Sequence, residues 1–201
     1  MREFSLQIPG GTIAGLRAGG EGGQRVLALH GWLDNAASFV PLAPHLRGLD
    51  LVVPDLPGHG RSFHLASGAD YSFSGAVHTV LDIADALGWE TFSLLGHSMG
   101  AGIASLVAAG SPERVERLVA IAALGALPEA ADQTARRLRE AVHATRALRG
   151  KQLRVFANAS PAVRARMAAN ALGEASARLL VERGLTRVDG GFSWSSDPRL
   201  T

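Results

Sequence analysis

Gly96-His97-Ser98-Met99-Gly100 constrains this chain more than any other stretch. It follows Thr91 to Leu95, a short apolar run with the length and composition of a buried strand. It precedes Ala101 to Ala109, a run of small and aliphatic residues that suits a closely packed helix. A G-x-S-x-G sequence between strand and helix is the context in which a serine hydroxyl is held clear of the backbone on a sharp turn. Gly96 and Gly100 carry no β-carbon, so strand and helix can approach each other there. Amides at the start of such a helix point at the reacting centre, where negative charge would develop.

The rest of the chain must support that turn. Its 201 residues allow one domain, or one domain with a modest insertion. The 47% hydrophobic content supplies a core, and the 5% aromatic content leaves its packing to aliphatic residues and alanine. There is no cysteine, which excludes disulfides, thiolate metal sites and a cysteine nucleophile, and suits a cytoplasmic setting. No residue cluster calls for a metal or cofactor. Met1-Arg2-Glu3-Phe4 is not a charged n-region followed by an apolar h-region, so no signal peptide is expected. The longest apolar stretch, Leu118 to Leu127, is too short to cross a bilayer, so no membrane partner is expected. Residues 1–130 hold seven arginines against twelve acids, and residues 131–201 hold thirteen basic residues against six acids. The arginines of the basic third are spread along amphipathic helices without interleaved aromatics, which favours a solvated face over a nucleic-acid site.

Taken in order, residues 2–8 and 11–18 form two strands around Pro9-Gly10-Gly11. Arg25 to Leu29 is a buried strand leading into His30-Gly31-Trp32-Leu33-Asp34-Asn35, followed by a helix over Ala36 to Leu46. Asp50 to Pro54 is the next strand, ending in Asp55-Leu56-Pro57-Gly58-His59-Gly60-Arg61-Ser62. Ser74 is expected to cap a helix with Val77, Val80, Leu81, Ala84 and Leu87 on its apolar face. The strand and helix of the serine turn follow, then a strand over Val115 to Ala122. Strands alternating with helices predict a doubly wound, mostly parallel sheet, whose ligands bind at the carboxyl ends of the strands. The loops after Leu29, Pro54 and Leu95 all fall there. Beyond Pro128 the alternation stops: helices are expected over Ala131–Arg149, Pro161–Ala171 and Glu174–Arg183, and a hairpin around Asp189-Gly190-Gly191. Residues 1–128 therefore read as the core and 129–201 as a helical cap.

His30 to Ala36, Asp55 to Ser62 and Gly96 to Gly100, in this order and spacing, resemble the α/β-hydrolase superfamily, most closely its serine hydrolase-like branch. The tail Trp194 to Leu200 is also similar to that branch. The resemblance implies an α/β-hydrolase fold and a serine hydrolase acting on a small acyl, ester-like substrate through an acyl-enzyme. Ser98 matches the nucleophile, and the backbone amides of Met99 and Trp32 match the two oxyanion-hole donors. One such donor is worth on the order of 100–1,000-fold in turnover. The Trp32 side chain either lines the acyl pocket or packs under the cap. Similar proteins that displace halide or open epoxides carry aspartate where this chain has Ser98.

Such a serine needs a histidine to take its proton and a carboxylate to orient that histidine. The superfamily places them after the serine, acid first. No catalytic acid or base is identified here. The only later histidine is His143, inside the expected cap helix. His97 is expected to pack, His30 and His59 to hold loops, and His45, His64 and His78 to lie on the surface. Glu129 is a weak acid candidate, Asp189 and Asp197 fall in the tail, and Asp34 and Asp55 read as loop-shaping residues. The fold is thus expected to be C-terminally incomplete, with the 115–122 strand as a bare apolar edge prone to self-association, and the chain alone inactive. The alternative is a non-catalytic protein that binds a small hydrophobic ligand on the same fold.

Overall fold

The computed structural model describes residues 1–20, 22–125, 130–148, 150 and 152–200. Its strands and helices are β1 (Arg2–Ile8), β2 (Gly11–Ala18), β3 (Gln24–Leu29), β4 (Leu49–Pro54), α1 (Phe73–Ala86), β5 (Phe92–His97), α2 (Met99–Gly110), β6 (Val115–Ile121), α3 (Thr134–Ala147), β7 (Val155–Phe156), α4 (Ser160–Asn170), α5 (Glu174–Gly184), β8 (Leu185–Val188) and β9 (Gly191–Trp194).

The strands β3, β4 and β5 are buried along most of their length, with apolar runs at residues 26–29, 51–54 and 94–95 in them, the pattern of strands covered on both faces. They pair in parallel within a six-stranded sheet of order β1-β2-β4-β3-β5-β6. Only the β1–β2 hairpin and the β2–β4 pairing are antiparallel. On one face Leu27, Leu29, Val52, Phe92 and Leu94 are sealed by Val80, Ile83 and Ala84 of α1 and by Ile103, Ala104 and Val107 of α2. On the other, Val26, Ala28, Leu51, Val53 and Leu95 are covered by Ala36, Ala37 and Phe39. With both faces closed, the carboxyl ends of β3, β4 and β5 are where the sheet can present chemistry. β6 has a strand neighbour on one side among the described residues, and Val119 and Ile121 on it are exposed.

Four local expectations are corrected. Residues 36–46 form two 3-10 turns, Ala36–Phe39 and Ala43–His45, rather than one helix. Pro41 and Pro44 interrupt the apolar periodicity, since each lacks a donor and crowds the preceding turn. The cap of α1 is Ser72, whose Oγ accepts from the Gly75 amide at 3.1 Å, and Ser74 lies within the first turn. The expected 131–149 helix is a 3-10 turn, Ala131–Gln133, followed by α3. In the C-terminal region the expected hairpin around Asp189-Gly190-Gly191 is present as β8 and β9, but β7 joins it to make a small three-stranded antiparallel sheet. A two-residue strand such as β7 is too short to show any alternation in sequence. Phe156, Ala162, Val163, Ala177 and Val181 make the core of this region, with Trp194 edge-on to Phe156. The expected boundary at 128/129, and Glu129 with it, lies outside the described residues.

Candidate active site

Ser98 sits between β5 and α2 with φ 50° and ψ −115°. A residue with a β-carbon rarely occupies this region, and holding it there stores strain of about 1–3 kcal/mol. The surroundings enforce it. The Ser98 amide donates to the carbonyl of Ile121 at 2.9 Å, and its own carbonyl accepts from Ala101 and Gly102 at 3.0 and 3.1 Å. A β-carbon on Gly96 would strike the backbone of Ala101, and one on Gly100 the backbone of Leu29. The Ser98 side chain does not cap α2. Its hydroxyl is thus left for another partner at the positive end of a helix.

The two flanking loops are held from beneath by His30 and Asp55. The Leu56 amide donates to His30 Nε2 at 2.9 Å, so the ring proton is on Nδ1, which donates to the Gly31 carbonyl at 2.8 Å. Complete burial, reinforced by the neighbouring His59, pushes the His30 pKa well below the ordinary histidine range. His30 is therefore a neutral strut between the two loops. Asp55, with no exposed surface, accepts from the amides of Ala36 at 2.7 Å and Arg61 at 2.8 Å. It also accepts from Arg183 of α5, whose guanidinium continues to Glu3 at 2.8 Å. Asp34 pairs with Arg166 of α4, which also donates to the Leu33 carbonyl at 3.1 Å. Leu33 itself has a positive φ of 56°. Asp55 thus shapes its loop through local backbone amides as expected, whereas the Asp34 carboxylate is held by the Arg166 side chain instead. The arginines that satisfy them lie about 130 residues further along the chain and carry no local signal.

Trp32 and Met99 line one cavity of about 110 Å³, walled by Leu56, Ile103 and Leu200, so the residues of the two expected donor amides are brought to a single place. The Trp32 indole is half-exposed and edge-on to His59, with ring centroids 6.0 Å apart. It lines the cavity and lies against the loop after β4, and with half its surface exposed it is not packed under the C-terminal region. His59 is buried, and its Nδ1 donates to the Pro57 carbonyl at 3.0 Å. Burial lowers its pKa, only partly offset by contacts with the Pro57 and Leu56 carbonyls.

His97 differs from expectation. It is not packed: 41% of its side chain is exposed, and its Nδ1 lies 3.9 Å from Asp34 Oδ2, beyond hydrogen-bond reach. It borders a second cavity of about 420 Å³ with Asp34, Ser38, Phe39 and Ile121. His143, His45 and His78 are exposed, and His64 is held by the Ser195 carbonyl at 2.9 Å. Asp189 is exposed. Asp197 is buried and bonded to Tyr71 at 2.7 Å and to Arg199. Among the described residues no imidazole is hydrogen-bonded to Ser98, and no helix is long and apolar enough to cross a membrane.

A parallel sheet carrying a strained serine at a strand–helix turn, with two braced loops beside it, defines an α/β hydrolase. The sequence model described as the alpha/beta hydrolase fold matches residues 24–171, and the chain belongs to that family, on its serine hydrolase-like branch. It is similar to the serine hydrolase-like protein of Danio rerio, at 34% identity over 203 residues, covering 98% of this chain and 62% of that protein. A serine hydrolase-like protein of Dictyostelium discoideum is 45% identical over 135 residues, 65% of this chain and 38% of its own length. The chain thus spans less than two thirds of both relatives. Among solved structures, the hypothetical protein PA1622 of Pseudomonas aeruginosa PAO1 superposes with a TM-score of 0.94 at 46% identity, over all of this chain and 72% of that one. The thioesterase domain from the curacin biosynthetic pathway superposes with a TM-score of 0.82 at 28% identity, over all of this chain and 73% of that domain.

Proposed function

We propose that this chain carries the nucleophile, oxyanion hole and acyl pocket of a serine hydrolase. Ser98 Oγ attacks the carbonyl carbon of a small ester-like substrate. The Ser98 proton passes to a base from outside the described residues, the carbonyl π pair moves onto oxygen, where the amides of Met99 and Trp32 receive it, and collapse breaks the ester C–O bond as that proton is handed to the leaving oxygen, giving an alcohol and an acyl-serine. The observation that carries this is the strained, uncapped Ser98 at the start of α2, whose chain neighbour Met99 lines a cavity together with Trp32. One solved neighbour is a thioesterase domain, which agrees with acyl chemistry. A cytoplasmic setting belongs to the same proposal and is compatible with a chain free of cysteine. Nucleic acid is not part of it: Arg136, Arg166, Arg178, Arg183 and Arg199 of the basic third are engaged by carboxylates.

The proton acceptor for Ser98 is not supplied by the described residues, so turnover by this chain alone is expected to be negligible. In the subtilisin series, loss of the histidine costs about a millionfold. The test is intact-mass analysis after exposure to a fluorophosphonate, with and without added imidazole as a surrogate base. A slow adduct mapped to Ser98, accelerated by imidazole and lost in Ser98→Ala, is the expected result. No adduct under either condition overturns the proposal. That outcome would favour a second reading, a non-catalytic binder of a small apolar ligand, which the absence of a partnered imidazole at Ser98 also supports.

A further inference from the structure

The Trp32 amide belongs to the same peptide unit as the Gly31 carbonyl. Such a unit is planar, so whatever fixes the direction of the carbonyl also fixes the N–H on its opposite side. Two donors hold the Gly31 carbonyl: the Asp34 amide at 3.1 Å and His30 Nδ1 at 2.8 Å. Hydrogen bonds accepted by a carbonyl also polarise its own unit, which strengthens the N–H as a donor. The Gly31 end is closely flanked as well. A β-carbon there would lie 3.1 Å from His97 Nδ1 and 3.3 Å from Asp34 Oδ2.

The bond from the Asp34 amide closes a four-residue turn, Gly31 to Asp34, with Leu33 in its third place. Leu33 has φ 56°, and a turn with positive φ at that place ordinarily carries glycine there. Leucine does not keep such a conformation unless its surroundings enforce it. Arg166 of α4 supplies the hold. Its Nη2 donates to the Leu33 carbonyl at 3.1 Å and to Asp34 Oδ1, so one guanidinium grips both residues that end the turn. The Arg166 and Asp34 side chains are 13% and 14% exposed, so water competes little for the pair. α4 is itself anchored, with Ala162 and Val163 packed with Ala177 and Val181 of α5.

We propose that Arg166 is a positioning residue for the oxyanion hole: by holding the strained turn, it aims the Trp32 amide at the oxygen that takes up negative charge. The inference rests on the acyl-site reading above, which assigns that amide its role. Arg166 is not among the residues lining the cavity of Trp32 and Met99, so its effect is exerted through the turn.

The test compares Arg166→Met, which keeps an apolar stem and loses the guanidinium, with the same change made in a Leu33→Gly background. Two rates are read: fluorophosphonate labelling of Ser98 in the presence of imidazole, and hydrogen exchange of the Asp34 amide by NMR. Arg166→Met is expected to slow labelling about tenfold, short of the 100–1,000-fold that loss of a whole donor costs. It is expected to speed Asp34 exchange by about the same factor. Leu33→Gly should bring both rates back to within about threefold of wild type, because glycine holds the turn unaided. Unchanged labelling in Arg166→Met overturns the inference. So does a loss that glycine fails to restore, since Arg166 would then only fasten α4 to the sheet. Leu33→Gly alone decides the matter where Arg166→Met folds poorly. It should raise the thermal midpoint by about 2 °C and label as wild type does, and a lowered midpoint would show that there is no strain to hold. A wild-type chain that takes no label refutes the acyl-site reading and the role of Trp32 with it, whereas a wild type that labels no faster than Arg166→Met refutes the role of Arg166 alone.

Discussion

Ser98 is held in a conformation that a glycine would adopt without penalty. Replacing it with glycine should therefore stabilise the fold while removing the hydroxyl. The expected gain for Ser98→Gly is about 1 kcal/mol, or a rise of about 2–4 °C in midpoint for a chain of this size. Ser98→Ala keeps a β-carbon and should leave the midpoint nearly unchanged. Thermal melts of the two variants side by side check this, and equal midpoints would show that the turn is not strained. The residues around Ser98 were legible in sequence because their requirement is local. Two glycines, a serine, an apolar run before and a small-residue run after lie within about twenty positions. His97 was misjudged for the converse reason. Whether a turn residue packs or faces outward depends on what Asp34 and Ile121 contribute from elsewhere in the fold.

Between elements, charge does the joining. Arg183 of α5 is almost wholly buried and contacts Asp55, which has no exposed surface. Arg183→Leu leaves that carboxylate with only its two amide donors, and should cost about 3–5 kcal/mol in urea unfolding. Arg178→Leu, which breaks an exposed pair with Glu174 on the same helix, should cost less than about 1 kcal/mol. Similar losses for both would remove Asp55–Arg183 from the account of stability. A second joint links the tail to the segment before α1. Burial and the bond to Asp197 raise the Tyr71 pKa from 10.0 to about 12. Burial alone would raise the Asp197 carboxyl, but hydrogen bonds from Arg199 and Tyr71 outweigh it and bring the pKa from 3.8 to about 2. The signs are opposite. The Tyr71 contribution is complete below pH 10 and is lost as pH rises toward 12. The Asp197 contribution is complete above about pH 4 and is lost as pH falls toward 2. Stability measured against pH should decline outside that window, with Tyr71→Phe flattening the alkaline limb and Asp197→Asn the acid limb. A persistent slope in both variants would assign it to other groups. None of these joints could be read from sequence, because ion pairs between residues 55 and 183, or 34 and 166, leave no periodicity. The helices and strands themselves could, wherever hydrophobic spacing was uninterrupted. Where Pro41 and Pro44 intervened, the same spacing misled.

Across the whole molecule, the doubly wound, mostly parallel sheet and the meeting of three loops at its carboxyl ends followed from alternation, and the β8–β9 hairpin from Asp189-Gly190-Gly191, while the order of the strands and the addition of β7 to that hairpin did not. The bare edge expected from sequence corresponds, among the described residues, to β6, where Val119 is 54% exposed and Ile121 40%. We propose that this edge drives self-association of the isolated chain, since unpaired strand groups beside apolar side chains template further pairing. Sedimentation velocity should show concentration-dependent association of the wild-type chain and a shift toward monomer in Val119→Lys. A wild-type chain that sediments as a single monomeric species would refute this.

The guanidinium shared by Asp55 and Glu3 ties together three stretches that are remote in the chain: the first strand, the loop after β4 and helix α5. Asp55 in turn holds the amides of Ala36 and Arg61. Opening of any one stretch should therefore release the others, and those two amide protons should exchange with deuterium at one common rate, set by departure of α5 rather than by fraying of either loop.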